Sequence, residues 1–174
     1  CLGGHPDTIT PNIDRLAKRG VAFTNAQCPA PACIPSRTAL NTGVSPARSG
    51  LYTNFAGNFR DHPALDDAVT LPQYFMGHGY RTLGTGKIMH AYDRPSWDEY
   101  YKQNYWINPV PDWYDGFQGD RSREWVPIDV SKQEMTDWQI AEWTAGQLAK
   151  KHDKPFFLAC GFFRPHDPWF APRE

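Results

Sequence analysis

Six residues account for most of the chemistry this chain could perform: Cys33, Arg37, Lys87, His90, Arg164 and His166. One is a potential nucleophile, three are cations, and two are imidazoles able to move a proton near neutral pH. Cations converging on a cysteine suit an anionic substrate such as a sulfate or phosphate ester. The cysteine itself lies in "CPAPACIPSRTALNTG", residues 28–43, where prolines crowd the approach to a short helical run. Taken singly, each residue also has a plain structural reading. Cys33 could be half of a disulfide with Cys28, a metal ligand or a small buried thiol; Arg37, Lys87, His90 and His166 could be surface or turn residues.

Cysteine usage narrows these options. The chain has four cysteines, Cys1, Cys28, Cys33 and Cys160, with no C-x-x-C pair, so a zinc ribbon or thioredoxin-type site has no support. Four in 174 residues falls short of a disulfide-dense scaffold. A net charge of -1 gives no reason to expect a nucleic-acid surface. The longest apolar run, "PFFLACGFF", is interrupted by Gly161 and is too short for a membrane span. With 40% hydrophobic residues the chain can build one core of ordinary domain size. It opens at Cys1 rather than methionine and reads as an internal piece of something larger, so the lack of a signal-like N-terminus carries little weight.

The elements that must position these residues follow from local signals. "TPNIDRLAKRG" predicts a helix with Thr10 as cap, Pro11 in the first turn, Gly20 as stop and a buried stripe of Ile13, Leu16 and Ala17. "VAFTNA" is a short strand candidate. The proline-rich loop delays regular structure until after Pro35, with a helix opening at Ser36 and ending near Thr42-Gly43. Cys33 then sits at or just before a helix N-terminus, where free N–H groups favour an anion. Thr70 and Gln73 have capping-box spacing, opening a two-turn helix closed by Gly77 or Gly79; "YRTLGTG" switches to a strand that delivers Lys87 and His90. Residues 91–130 are aromatic and proline-rich and read as a long surface excursion. Ser131 and Glu134 repeat the capping box, and Met135, Trp138, Ala141, Ala145 and Leu148 predict a helix over 132–150. "KPFFLACGF" is the continuous apolar run of a strand covered on both faces, and it delivers Arg164 and His166. Helices alternating with such strands predict an α/β fold, a mostly parallel sheet with helices on both faces and site residues at the strands' carboxyl ends.

Motifs spread over nearly the whole chain carry a family resemblance. "CIPSR" followed by "TALNTG" resembles the signature of the type I sulfatases, Cys-x-Pro-Ser-Arg with Thr-Gly beginning six residues after the serine. "TPNIDRLAKRGVAFTNA", "LPQYFMGHGYRTLGTGKIMH" and "KPFFLACGFFRPHDPW" resemble the segments flanking and following that signature. The Lys-x-x-His spacing and the Arg-Pro-His turn are most similar to the iduronate-2-sulfatase branch and its bacterial relatives. The resemblance implies an alkaline-phosphatase-like fold, with residues 1–174 forming part of the N-terminal catalytic domain, incomplete at both ends. It also implies that Cys33 is oxidised by a maturation enzyme to formylglycine (3-oxoalanine), with Pro35 and Arg37 in the sequence that enzyme reads.

Carried over residue by residue, Arg37 would hold the formylglycine hydroxyls and balance charge near a metal. Lys87 would contact a sulfate oxygen and His90 the hydrate. His166, with Arg164 beside it, would face the sulfate or the leaving oxygen. The family metal, Ca2+, would contact formylglycine at position 33. Its other ligands are expected outside the chain, since the expected aspartate pair would precede Cys1 and the Asp-Asn pair and second lysine would follow Glu174. The implied substrate is a sulfated saccharide, with a 2-O-sulfated uronic acid favoured, handled in the periplasm, outside the cell or in the lysosome. Two rivals are a phosphomonoester or phosphonate ester hydrolase of the same superfamily, and a non-catalytic glycan-binding homologue stacking sugars on Trp97, Trp106, Trp113, Trp125 and Tyr114.

Overall fold

The computed structural model describes residues 5–55, 57–103 and 125–173. Its framework is a three-stranded parallel sheet in the order β2-β1-β4, where β1 is Arg81–Gly86, β2 is Glu99–Tyr101 and β4 is Phe156–Gly161. A second parallel pair joins β3 (Trp125–Ile128) to β5 (Trp169–Pro172). Five helices accompany these strands: α1 (Pro11–Arg19), α2 (Cys33–Thr42), α3 (Pro46–Ser49), α4 (Leu71–Gly77) and α5 (Thr136–Ala149). Among the described residues every strand pairing is parallel, as expected of an α/β architecture.

The two faces of the sheet are covered by different helices. Phe157 stacks on Phe75 of α4 at 4.7 Å, while its neighbour Phe156 meets His152, just beyond α5, at 4.3 Å. Successive strand residues point to opposite faces, so α4 and α5 lie on opposite sides. The core on the α4 side gathers Ile34 of α2 with Leu51, Phe59, Leu65, Met89 and Trp97. Trp97 is 3% exposed, so it is a core residue and not a sugar-stacking surface. Gly84 of β1 makes room for it, because a Cβ there would lie 2.7 Å from the indole. Trp106, Trp113 and Tyr114 lie outside the described residues, and Trp125 opens β3.

Several local expectations hold. Thr70 caps α4 with a complete capping box, Gly79 adopts φ +84 beyond its end, and Gly43 closes α2 in the left-handed conformation. Thr70 is fully buried and its hydroxyl also lies 2.6 Å from Ser96 Oγ, which donates to Asp93. Asp93, 2% exposed, takes two hydrogen bonds from Arg60 at 2.6 and 3.0 Å. This network ties the cap of α4 to the segment after β1. Thr70→Ala is therefore expected to cost about 1–2 kcal/mol, measurable as a lowered urea midpoint with an unchanged slope.

Other expectations are corrected. Residues 21–26 form no strand: Val21 and Phe23 are exposed, and no strand among the described residues offers a ladder there. The stripe on α1 is not buried, with Ile13 and Leu16 both exposed. Helix α2 starts at Cys33 rather than Ser36, with Pro35 inside its first turn. Proline is tolerated there because first-turn N–H groups have no acceptor within the helix. The Ser131–Glu134 box caps a short 3-10 turn, and α5 begins at Thr136. Its buried residues are Thr136, Ile140 and Gln147, none of them in the predicted apolar stripe, and Leu148 is exposed. Within 91–130, β2 belongs to the main sheet. β4 is an edge strand of that sheet among the described residues and is only partly buried, with Cys160 exposed.

Candidate active site

Cys33 is the first residue of α2 and is partly exposed; both it and Cys28 are free thiols. The N–H of Ile34, next in the helix, donates to Asn54 Oδ1 at 2.9 Å, so a side chain twenty residues away satisfies one orphan donor of the helix end. One turn further, Arg37 directs Nη1 at the main-chain carbonyls of Lys87 and Ile88, the latter at 3.2 Å. Its own carbonyl accepts from Asn41 Nδ2 at 2.8 Å. The arginine thus joins α2 to the carboxyl end of β1.

That end is a tight corner. Gly86 adopts φ +75, and a Cβ on it would fall 1.9 Å from the carbonyl oxygen of Gly161 on β4. The Lys87 N–H donates to the same oxygen at 2.7 Å, and the Tyr100 hydroxyl donates to the Gly86 carbonyl. Burial pushes that phenol up to about 12. Neutral and donating, Tyr100 holds the backbone just ahead of Lys87.

After β4 the chain turns through Phe163–Pro168. The backbone N–H groups of Phe163 and Arg164 donate to the Asp137 carboxylate in the first turn of α5, at 2.8 and 2.9 Å. This loop carries His166 and Asp167, and its Arg164–Pro165 and Asp167–Pro168 peptide bonds are cis.

Electrostatics show which charged groups lie within reach of one another. Lys87 is 6% exposed; burial lowers its affinity for a proton, Arg37 lowers it further, and Cys33 and Asp167 act in the opposite sense. His90 is held below its ordinary 6.5 by partial burial first, then by Lys87, Arg37 and His166. Cys33, Arg37, Lys87, His90 and His166 therefore form one cluster within electrostatic reach, beside a small cleft lined by Ile34, Asn41, Phe59 and Met89. Arg164 is placed differently. Its Nη1 donates to the His166 carbonyl at 3.0 Å, and its guanidinium feels Asp137 and Asp167. It braces the loop from within.

Asn54, Tyr100 and Asp137 join the site through fold contacts rather than a spacing, and Asp167 joins it through its sequence neighbour His166. Among the described residues no group of three or more His, Cys, Asp or Glu side chains gathers to hold a metal. The described residues thus do not by themselves fit a calcium site.

The depressed His90 value has a consequence for pH. Below about pH 6.5 the unfolded chain takes up this proton more readily than the folded protein. The stability linked to His90 is present above that value and is lost as pH falls through the lower, folded one. Urea denaturation of the full-length protein across about pH 5–8 is expected to show a shallower acid decline in His90→Gln than in the native sequence. Superimposable pH profiles would contradict this placement of His90.

The family model for sulfatases matches residues 1–174. The chain belongs to the sulfatase family, and its α/β arrangement is the N-terminal portion of the alkaline-phosphatase-like sulfatase fold. A sulfatase of Formosa agariphila is 38% identical over 95% of this chain and 36% of that protein. Iduronate 2-sulfatase of Homo sapiens is 31% identical over 99% of the chain and 34% of its own length. Arylsulfatase A of Bos taurus is 44% identical over 48% of the chain and 17% of its length. The chain spans about a third of the first two of these relatives. No helix among the described residues is long and apolar enough to cross a membrane.

Proposed function

We propose that the full protein is a sulfuric ester hydrolase that removes sulfate from a sulfated carbohydrate, with Cys33 matured to formylglycine. The observation that supports this reading is the convergence of Arg37, Lys87, His90 and His166 about the N-terminus of α2, where Cys33 stands. Position 33 fits the modification in three respects: the side chain is partly exposed, it is not bridged, and its helix end favours negative charge. A hydrated aldehyde there supplies an oxygen nucleophile with a second hydroxyl for release.

The chain's own residues then have distinct tasks. Lys87, buried and cationic when protonated, pairs with a sulfate oxygen. Arg37 adds positive charge while fixing the corner that carries Lys87. His90, favoured as the neutral imidazole, accepts a proton at the formylglycine side. His166 serves the leaving oxygen. The iduronate 2-sulfatase relatives, matched over 99% of this chain, favour a 2-O-sulfated uronic acid. Residues 1–174 are part of a catalytic domain whose remainder supplies the Ca2+ ligands. The protein depends on a sulfatase-maturing enzyme and works in the periplasm, outside the cell or in the lysosome.

The test is release of inorganic sulfate by the full-length protein, coexpressed with a formylglycine-generating enzyme, from a 2-O-sulfated uronate disaccharide. Sulfate release supports the reading. Hydrolysis of phosphomonoesters alone would replace it with the phosphatase alternative, and saccharide binding without turnover with the glycan-binding one.

A further inference from the structure

We propose that Asp167 is a positioning residue for His166, holding its imidazole in the tautomer that leaves Nε2 as the working nitrogen. The inference rests on the reading above that His166 serves the leaving oxygen of the ester.

The geometry is local and specific. His166 Nδ1 lies 2.8 Å from Asp167 Oδ1 and 2.7 Å from the Asp167 main-chain carbonyl. Both partners are oxygen acceptors, so Nδ1 must carry a hydrogen whether the ring is neutral or charged. Nε2 is then the nitrogen that exchanges a proton: the imidazolium gives its Nε2 hydrogen to the leaving oxygen and returns to the neutral Nδ1–H form. A carboxylate oriented in this way fixes which ring nitrogen does the chemistry.

The ring's backbone is held as well. His166 N–H donates to the Phe163 carbonyl at 2.9 Å, and its carbonyl accepts from Arg164 Nη1 at 3.0 Å. Asp137 anchors the start of the same loop from α5. With the backbone braced and Nδ1 doubly accepted, little freedom remains in the direction of Nε2.

A carboxylate at this place opposes the task of the surrounding cations. Its charge is felt at Lys87 and Arg164, and it weakens the attraction of the site for an anion. Such a cost is explained if the carboxylate is there for the imidazole. The main-chain oxygen supplies one acceptor at any residue type; only the side chain supplies the second.

Two measurements on the full-length protein test this. Heteronuclear NMR of the imidazole nitrogens, in the unmatured protein, is expected to show His166 in the Nδ1–H form. Asp167→Ala is expected to introduce the Nε2–H form, and Asp167→Asn, which keeps an acceptor oxygen, to restore much of the native population. On the matured enzyme, Asp167→Ala is expected to lower kcat roughly 10-fold or more for a sugar sulfate. An aryl sulfate with a good leaving group, which needs little proton donation, is expected to be nearly unaffected.

A native-like tautomer in Asp167→Ala, or an Nε2–H form in the native sequence, would overturn the proposal. Failure of the underlying reading looks different. His166→Ala would then slow sugar and aryl sulfates equally, while the tautomer result stood on its own.

Discussion

Cys33→Ala in the matured, full-length protein is expected to lower kcat/KM for sulfate esters by at least about 10³-fold, because the variant has no nucleophile and no neighbour can substitute for it. Stability is expected to change little. Cys33 is only partly exposed and outside the core cluster, it is unbridged, and alanine is a good helix former at the first position of α2. The separation between lost activity and retained fold is the informative part. A thermal melt within a few degrees of the native protein, together with abolished turnover, places the effect in chemistry. Retained turnover would mean that the reacting oxygen comes from elsewhere in the protein.

The second large effect concerns the corner that presents Lys87. Gly86→Ala is expected to destabilise the protein by roughly 3 kcal/mol or more. The added Cβ would lie 1.9 Å from the Gly161 carbonyl oxygen and 2.8 Å from Ile140 Cδ1, at a backbone φ of +75 that L residues rarely adopt. Neither obstacle yields easily. The carbonyl accepts the Lys87 N–H, so moving it breaks the bond that joins the ends of β1 and β4. Activity should fall with stability, since Lys87 and the Arg37 contact ride on the same turn. Gly146→Ala in α5 is the matched control. Nothing lies within 4 Å of its added Cβ, and a helix-interior glycine replaced by alanine gains about 0.5–1 kcal/mol. Equal urea midpoints for the two variants would contradict this account of the corner.

Elements announced by local chemistry were legible in the sequence: the Thr70–Gln73 box, the Gly43 stop, and the apolar runs that became β1 and β4. The delivery of Lys87 and His90 beyond one strand, and of Arg164 and His166 beyond another, follows from strand order and needs no distant contact. What was not legible depends on tertiary partners. "VAFTNA" has strand-forming residues, but a strand needs a neighbour, and none pairs with it among the described residues.

Helix α5 shows the same limit from the opposite side. Apolar spacing selects Ala141, Ala145 and Leu148, whereas the structure buries Thr136, Ile140 and Gln147. Gln147 is buried because Glu99 on β2 accepts its amide at 3.0 Å, a bond that no hydrophobic period can register. Asn54 entered the site for the same reason, through a bond to the Ile34 N–H twenty residues away. Arg164 illustrates a different ambiguity: its place beside His166 in the chain suggested an anion ligand, yet its guanidinium lies against the loop's own carbonyl. Adjacency in sequence does not fix the direction of a long side chain.

Whether Cys33 is a formylglycine precursor is read directly by mass spectrometry. The full-length protein, coexpressed with a formylglycine-generating enzyme, is digested with trypsin. The peptide covering residues 20–37, which holds both Cys28 and Cys33, is then sequenced by tandem mass spectrometry. An aldehyde is expected in place of the thiol at Cys33, with Cys28 unmodified as an internal reference. An intact thiol at Cys33 under conditions that mature a known sulfatase in the same cells would contradict the precursor role.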